Sequence, residues 1–387
     1  MHRCPDCGGL ECSSLEQWGR CVVTKRGWFW RCSLVGVWFG AVLSGVGMPA
    51  TAALSVCAPS NLLTFQTVVP GVAVVHGHWP ALAGTALTPE RPARLATTVV
   101  LGQGREVTVV DPGPTWGVGR ALQTTLQCRQ QARVTGLVNT HAHAEQVLAN
   151  SAFQVSVKAL SGTVQAMNKR CPQCLAALRE DLGAQALQGT RIVLPSQTLH
   201  DGQSLQAGGR LWQVREMLQA HTESDLVLWS QGASDGKSRG ESESQSGGVV
   251  LAGGLVDGRW PVLAQGRVLG WLQALDRVQA MQPDWLIGQH IVAGPQQVRP
   301  VLQRQRDYLC GLLSHAWRRL EQGQSEAEGV QGLTVPAHWP VPEAKDAPAW
   351  RQQHLFNQLR AWREVEQLWL ERQAWPTPCG SAPDVGR

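Results

Sequence analysis

The chain has 387 residues, with 34 Lys+Arg against 29 Asp+Glu and a formal net charge of +5. Hydrophobic residues make up 43% of it, enough for a sizeable core, which excludes whole-chain disorder. A mean hydropathy of −0.15 is too polar for a multi-span membrane protein, and so weak a positive charge argues against a nucleic-acid partner.

The N-terminal stretch reads as a targeting segment. Lys25, Arg26 and Arg31 form a basic region, followed by an uncharged run over 33–47 and the Ala50-Thr-Ala52 pattern that export signals place before their cleavage site. The run is about 15 residues, short for a comfortable membrane span. The expectation is a signal peptide with a long N-terminal extension over 1–52, cut near Ala52, giving a periplasmic or secreted protein with no stable membrane span after cleavage. An uncleaved N-terminal anchor is the alternative. Lys25-Arg26 faintly resembles a twin-arginine signal with its first arginine replaced. Cys4, Cys7, Cys12 and Cys21 have the makings of a small zinc knuckle, but the preferred reading is that the true start lies further downstream or that the segment is removed with the signal. Six of the eleven cysteines lie beyond the cleavage point, and an oxidising compartment lets some of them pair. Cys171-Pro-Gln-Cys174 is the nearest local pair, read as a structural disulfide ahead of a redox-active motif.

Strands are predicted at 72–76, 95–101 and 106–110, the last two joined by a Gly102-Gln-Gly104 hairpin signal. The third ends in Asp111-Pro-Gly-Pro114, a stop with turn chemistry. A helix at 119–130, a strand at 134–138 and helical pieces at 145–150, 158–169 and 172–183 follow. A second β-rich half has strands at 192–194, 211–214, 226–229 and 249–251. Residues 230–248 form a low-complexity insert loop rich in Ser, Gly and Glu. Helices at 269–281, 301–322 and 350–375, a strand at 285–287 and a Pro-rich linker at 335–348 complete the chain. Two similar halves imply an α+β sandwich over 53–330, with 331–387 as a linker and an appended helical extension.

Thr140-His-Ala-His-Ala-Glu-Gln146 lies just past a predicted strand. In extended backbone, positions i and i+2 point the same way, so His141 and His143 can reach one ion together. His221, directly before the strand at 226–229, is the candidate third ligand. Two or three imidazoles suit zinc, and three leave the open position that a catalytic zinc needs. His76 and His78, with the same spacing, read as surface histidines.

Thr140–Gln146 resembles the T-H-x-H-x-D-H motif of the metallo-β-lactamase-fold hydrolases, and further motifs of that superfamily follow in order. Val109-Val-Asp-Pro-Gly-Pro114 is similar to its V-I-D-T-G segment, and His221-Thr-Glu-Ser-Asp225 to its second metal motif. Leu251-Ala-Gly-Gly-Leu-Val-Asp-Gly-Arg-Trp-Pro261 is similar to its F-T-G-D-L-V-F-x-x-R-x-P segment, and Ile287-Gly-Gln-His290 to its P-G-H-G loop. Arg259-Trp-Pro261 with Leu269-Gly-Trp271 most resembles the branch of quinoprotein relay system zinc metallohydrolases, exported proteins tied to PQQ-dependent alcohol oxidation. The resemblance implies a four-layer αββα sandwich and assigns one zinc to His141, His143 and His221. Its second-metal positions fall on Glu145, Gln146, Gly254 and Gln289, of which only Glu145 can ligate. His290 stands one residue late. One zinc is therefore expected.

Such a site activates water for attack on an ester, thioester or lactone-like bond. Glu145 is the candidate catalytic group for taking the proton, or else a partner that orients a histidine. Asp225 can orient His221, and Asp111 can organise its own loop. Arg259 can grip an anionic substrate or a loop carbonyl. The alternative to an enzyme is an accessory protein of the quinoprotein system that keeps the fold and binds a partner or a PQQ-like ligand.

Overall fold

The computed structural model describes residues 59–82, 94–232, 247–332, 347–371 and 379–380. The expected signal and cysteine-rich extension, and nearly all of the insert loop and of the Pro-rich linker, lie outside the described residues. Two sheets face each other. The first holds seven strands in sequence order: β1 (Leu63–Val69), β2 (Val72–Gly77), β3 (Thr98–Leu101), β4 (Glu106–Val110), β5 (Arg133–Val138), β6 (Ser156–Leu160) and β7 (Gln197–Leu199). It is antiparallel from β1 to β4 and parallel from β4 to β7. The second holds β8 (Ser204–Ala207), β9 (Arg210–Leu218), β10 (Ser224–Ser230), β11 (Val249–Asp257), β12 (Trp285–Gln289) and β13 (Ile291–Ala293), ordered β13-β12-β11-β10-β9-β8.

The central strands are apolar on both faces, and the alternation explains the layers. Val99, Leu101, Val110 and Val138 meet Val214, Leu226, Leu228 and Leu251 in a core between the sheets. On the outer face of the first sheet, Val100, Val107 and Val109 pack on Leu122 and Leu126 of α1 (Trp116–Gln130). On the outer face of the second, Val227, Val250 and Leu286 pack against α4 (Val268–Ala280) and α5 (Val298–Glu321). The expected four-layer α+β sandwich is the observed fold. Two short helices, α2 (Ala144–Val147) and α6 (Glu326–Gly329), and the long α3 (Ser161–Ala186) complete this part of the chain.

Several local expectations are corrected. The predicted helix at 158–169 opens instead as β6, because Ser156–Leu160 pairs in parallel with β5 and buries Val157 and Leu160 on opposite faces. No strand forms at 192–194: Ile192 packs on α2 and α3 while Leu194 is exposed, and β7 follows at Gln197–Leu199. The strands β1, β8 and β13 and helix α6 were not anticipated. Cys171 and Cys174 are free thiols rather than a disulfide. They lie one turn apart in α3 but pack into different apolar clusters, Cys171 against Ala142, Val147 and Met167, and Cys174 beside Ala144 and Leu148. The bridge that forms is Cys310–Cys379, and Cys128 is disulfide-bonded as well. The last helix, α7 (Ala347–Leu370), is no appendage: its Trp350, Ala361, Trp362 and Val365 are part of the main core with α4 and α5. Among the described residues no helix is long and apolar enough to cross a membrane.

Candidate metal centre

The site forms where the ends of the two sheets meet. Strand β5 delivers Thr140 and His141 past its C-terminal end, and His143 stands at the N-terminus of α2. His221 sits in the turn between β9 and β10, which is pinched by Gln219 at a positive φ of 49° and by Gln219 N donating to Glu223 O. At the site the halves are tied together as Leu226 N, near the start of β10, donates to Thr140 O over 2.8 Å.

This arrangement brings the three predicted histidines together. Their rings lie edge-on, with centroids 4.8 Å (His141–His143), 4.8 Å (His141–His221) and 4.5 Å (His143–His221) apart. One ligand nitrogen from each falls within 4.8 Å of the others, a group that could hold a metal ion. His141 Nε2 is buried and without a hydrogen-bond partner among the described residues, and His221 Nε2 faces His143 Nδ1 at 3.0 Å. Buried lone pairs converging in this way fit a divalent cation with a taste for nitrogen, the donor set of a three-histidine site.

The surrounding hydrogen bonds choose which nitrogen each ring offers. Asp111, at the end of β4 with φ 54°, accepts from Thr140 N (2.8 Å) and Thr140 Oγ1 (2.5 Å). With its proton committed to Asp111, the Thr140 hydroxyl accepts from His141 Nδ1 at 2.8 Å, so the His141 Nε2 lone pair is free. His143 Nε2 donates to Gln265 Oε1 at 2.6 Å, which leaves Nδ1 free. Trp271 lies edge-on to His221 at 5.1 Å, held by its own indole N–H on Leu255 O. Burial, and then the neighbouring rings, lower the pKa of His141 and His221 well below the ordinary imidazole value, with the Val262 carbonyl partly offsetting this at His221. Both rings are thus held neutral, the form that ligates. Burial pushes the Asp111 carboxyl up to about 7, against the pull of the Thr140 bonds.

The other predicted residues take distinct places. Glu145 opens α2 with its carboxylate 3.6 Å from His143 Nδ1, within one water's reach of any atom bound there. Asp225 acts on the backbone of the turn rather than on the His221 ring, accepting from Thr222 N and Thr222 Oγ1, both at 2.8 Å. Burial pushes its carboxyl up to about 6. His290 and Arg259 pair with each other at 2.5 Å, near Asp257, which accepts from Arg259 N at 2.7 Å and lies 3.4 Å from His290 Nδ1. Neither joins the three-histidine donor group. At Gly254, a Cβ would collide with the His221 ring and lie 3.1 Å from His141 Cε1, so the rings occupy the room a side chain would need. The sequence reading missed Gln265, which carries no motif signal, and quoted Trp271 in a motif without placing it against His221. It quoted Thr140 without a role.

Residues 91–234 match the family model described as the metallo-beta-lactamase superfamily. With its two facing sheets and flanking helices, the chain has the metallo-β-lactamase fold and, beyond the matched segment, a C-terminal helical region. A β-lactamase domain protein from Burkholderia ambifaria is similar at TM-score 0.54 and 18% identity, over 80% of this chain and 88% of that one. The metallo-β-lactamase FIM-1 of Pseudomonas aeruginosa, crystallised in a mono-zinc form, gives TM-score 0.46 and 14% identity over 65% of this chain and 99% of that one. The metallo-β-lactamase of Pontibacter korlensis gives 0.46 and 14%, over 62% and 99%. Among curated proteins, none matches the sequence.

Proposed function

We propose that the protein is an exported zinc-dependent hydrolase with a one-zinc site, acting on an ester, thioester or lactone-like bond. The observation that carries this reading is the convergence of His141, His143 and His221, with their ligand nitrogens within 4.8 Å of one another. A zinc ion held there supplies Lewis acidity and lowers the pKa of a water it binds to about 7. The chain's own residues do the rest. The Asp111–Thr140 and Gln265 bonds fix the ring tautomers, and Glu145 stands where it can take a proton from the attacking water and return it to the leaving group. Trp271 walls the back of His221 and excludes solvent.

Gly254 supports a single ion, since the position offers neither a ligand nor space for one. The Cys310–Cys379 bridge supports export, because such bonds persist in oxidising compartments. A link to a PQQ-dependent quinoprotein system rests on the Arg259-Trp-Pro261 and Leu269-Gly-Trp271 motifs. The same Gly254, with Gln146 and Gln289 in place of ligands, also favours a second reading: an accessory protein that keeps the fold and binds a partner in the cleft without turnover.

The test is metal analysis of the purified protein together with an assay on generic thioester, ester and lactone substrates. One zinc per chain and measurable turnover are expected, with both lost together in His143→Ala. Full turnover by that variant sinks the hydrolase reading. A zinc-loaded chain that turns over none of these substrates supports the accessory one.

A further inference from the structure

The segment 261–269 touches both arms of the histidine group. Gln265 accepts from His143 Nε2, and Gly266 lies so close to the His221 turn that a Cβ there would collide with the Ala220 carbonyl. Arg267 N donates to Gln219 O, closing the same contact. This segment has no regular structure of its own before α4 begins at Val268, so something else must hold it still.

What holds it is one face of α7. Asn357 Nδ2 donates to Pro261 O (2.7 Å), and Asn357 Oδ1 accepts from Leu263 N (3.1 Å). Arg360 donates to Gly266 O (3.3 Å). Glu364 accepts from Val268 N (2.7 Å) and Leu269 N (3.1 Å), the first amides of α4, whose own N-cap residue Arg267 makes no side-chain cap bond. A carboxylate from another helix thus satisfies amides that a helix N-terminus leaves open. Positions 357, 360 and 364 are spaced i, i+3 and i+7, a single stripe of the helix. The segment and α7 both lie beyond the residues matched by the family model.

We propose that α7 is the positioning element of the metal site: Asn357, Arg360 and Glu364 hold the 261–269 segment, and Gln265 from that segment fixes His143 in the ring form that presents Nδ1 to the ion. The proposal rests on the metal-site reading above. The C-terminal helix then sets metal affinity without touching the metal, and Gln265 and the stripe on α7 act as one unit.

A double-mutant cycle on the full chain tests this, read as zinc affinity by competition with a chromophoric chelator. Thermal melting of the zinc-free protein is the fold control. Gln265→Ala is expected to weaken zinc about 10- to 100-fold with melting unchanged. Gln265→Glu keeps an acceptor opposite Nε2 and is expected to restore affinity. Glu364→Gln and Arg360→Ala are expected to weaken zinc in the parent but to add nothing in the Gln265→Ala background. If Glu364→Gln fails to melt cooperatively, Arg360→Ala carries the cycle, since Arg360 is half-exposed. Parent-like affinity in Gln265→Ala, failure of Gln265→Glu to restore it, or losses from the helix variants that add in full would each overturn the proposal. A parent chain that takes up no zinc at all overturns the metal reading itself, and with it this inference, and is told apart because every variant then behaves alike.

Discussion

Thr140 works with every polar group it has. Its amide and hydroxyl donate to Asp111, its hydroxyl accepts from His141, and its carbonyl accepts from Leu226 of the opposite sheet. Thr140→Val keeps the shape and deletes the hydroxyl, so the His141 ring loses the partner that selects its tautomer. Metal affinity is expected to fall about 10- to 100-fold by chelator competition. Stability is expected to fall by about 1–3 kcal/mol by thermal or denaturant unfolding, as a buried oxygen of Asp111 loses its donor. A second expectation concerns pH. Because burial lowers the folded pKa of His141 and His221 well below 6.5, neither carries a proton that an ion must displace near neutrality. Protonation of these two rings is therefore not expected to weaken metal binding between about pH 7.5 and about pH 6, where a histidine peptide loses affinity to protons. Stability does respond to pH. Below the ordinary imidazole value the unfolded chain takes up protons at these two positions and the folded chain does not, so their contribution is present above it and lost as pH falls. An NMR titration of the metal-free protein showing either ring taking up a proton across that window would overturn this expectation.

Elements were legible in the sequence where one pattern dominated. The strands near Val74, Val109, Val227 and Val250 are near-continuous apolar runs, the mark of strands buried on both faces, and α4 shows an apolar stripe at helical spacing. The histidine group was legible because two of its members share a strand end and the third precedes a strand. Ser156–Leu160 was misread because five residues of mixed polarity fit either element, and only pairing with β5 decides the matter. Gln265 was invisible because its role is set by a contact across 122 residues of chain. Helix α3 makes the same point about chemistry. A C-x-x-C spacing says nothing of where the sulfurs go, and the helix sends Cys171 and Cys174 into separate clusters. Burial pushes the Cys171 thiol up to about 12 and raises that of Cys174, so both stay protonated near neutrality. These two thiols are expected to react with a disulfide reagent only slowly in the native state and fully after denaturation. Rapid native labelling at either position would show that α3 opens.

At the scale of the molecule, the C-terminal helix is part of the core. Trp350 and Trp362 are 3% and 1% exposed, and Val365 is fully buried. At about 1.5–3 kcal/mol for each large apolar side chain, these three and Leu368 contribute roughly 6–12 kcal/mol of burial before entropy, comparable with the whole stability of an ordinary domain. Removing residues 347–387 is therefore expected to abolish cooperative unfolding, as followed by circular dichroism. A truncated chain that melts like the parent would show that the sandwich stands without its last helix.

The Cys310–Cys379 bridge joins α5 to a residue beyond α7, spanning 69 positions. Lys345 falls inside that span. A protease that cuts after Lys345 leaves two polypeptides that remain one covalent molecule, running as a single band on a gel until a reductant separates them. Nicked and intact chains thus have equal mass apart from one added water, and the clipped form keeps its last helix tethered to the body of the protein.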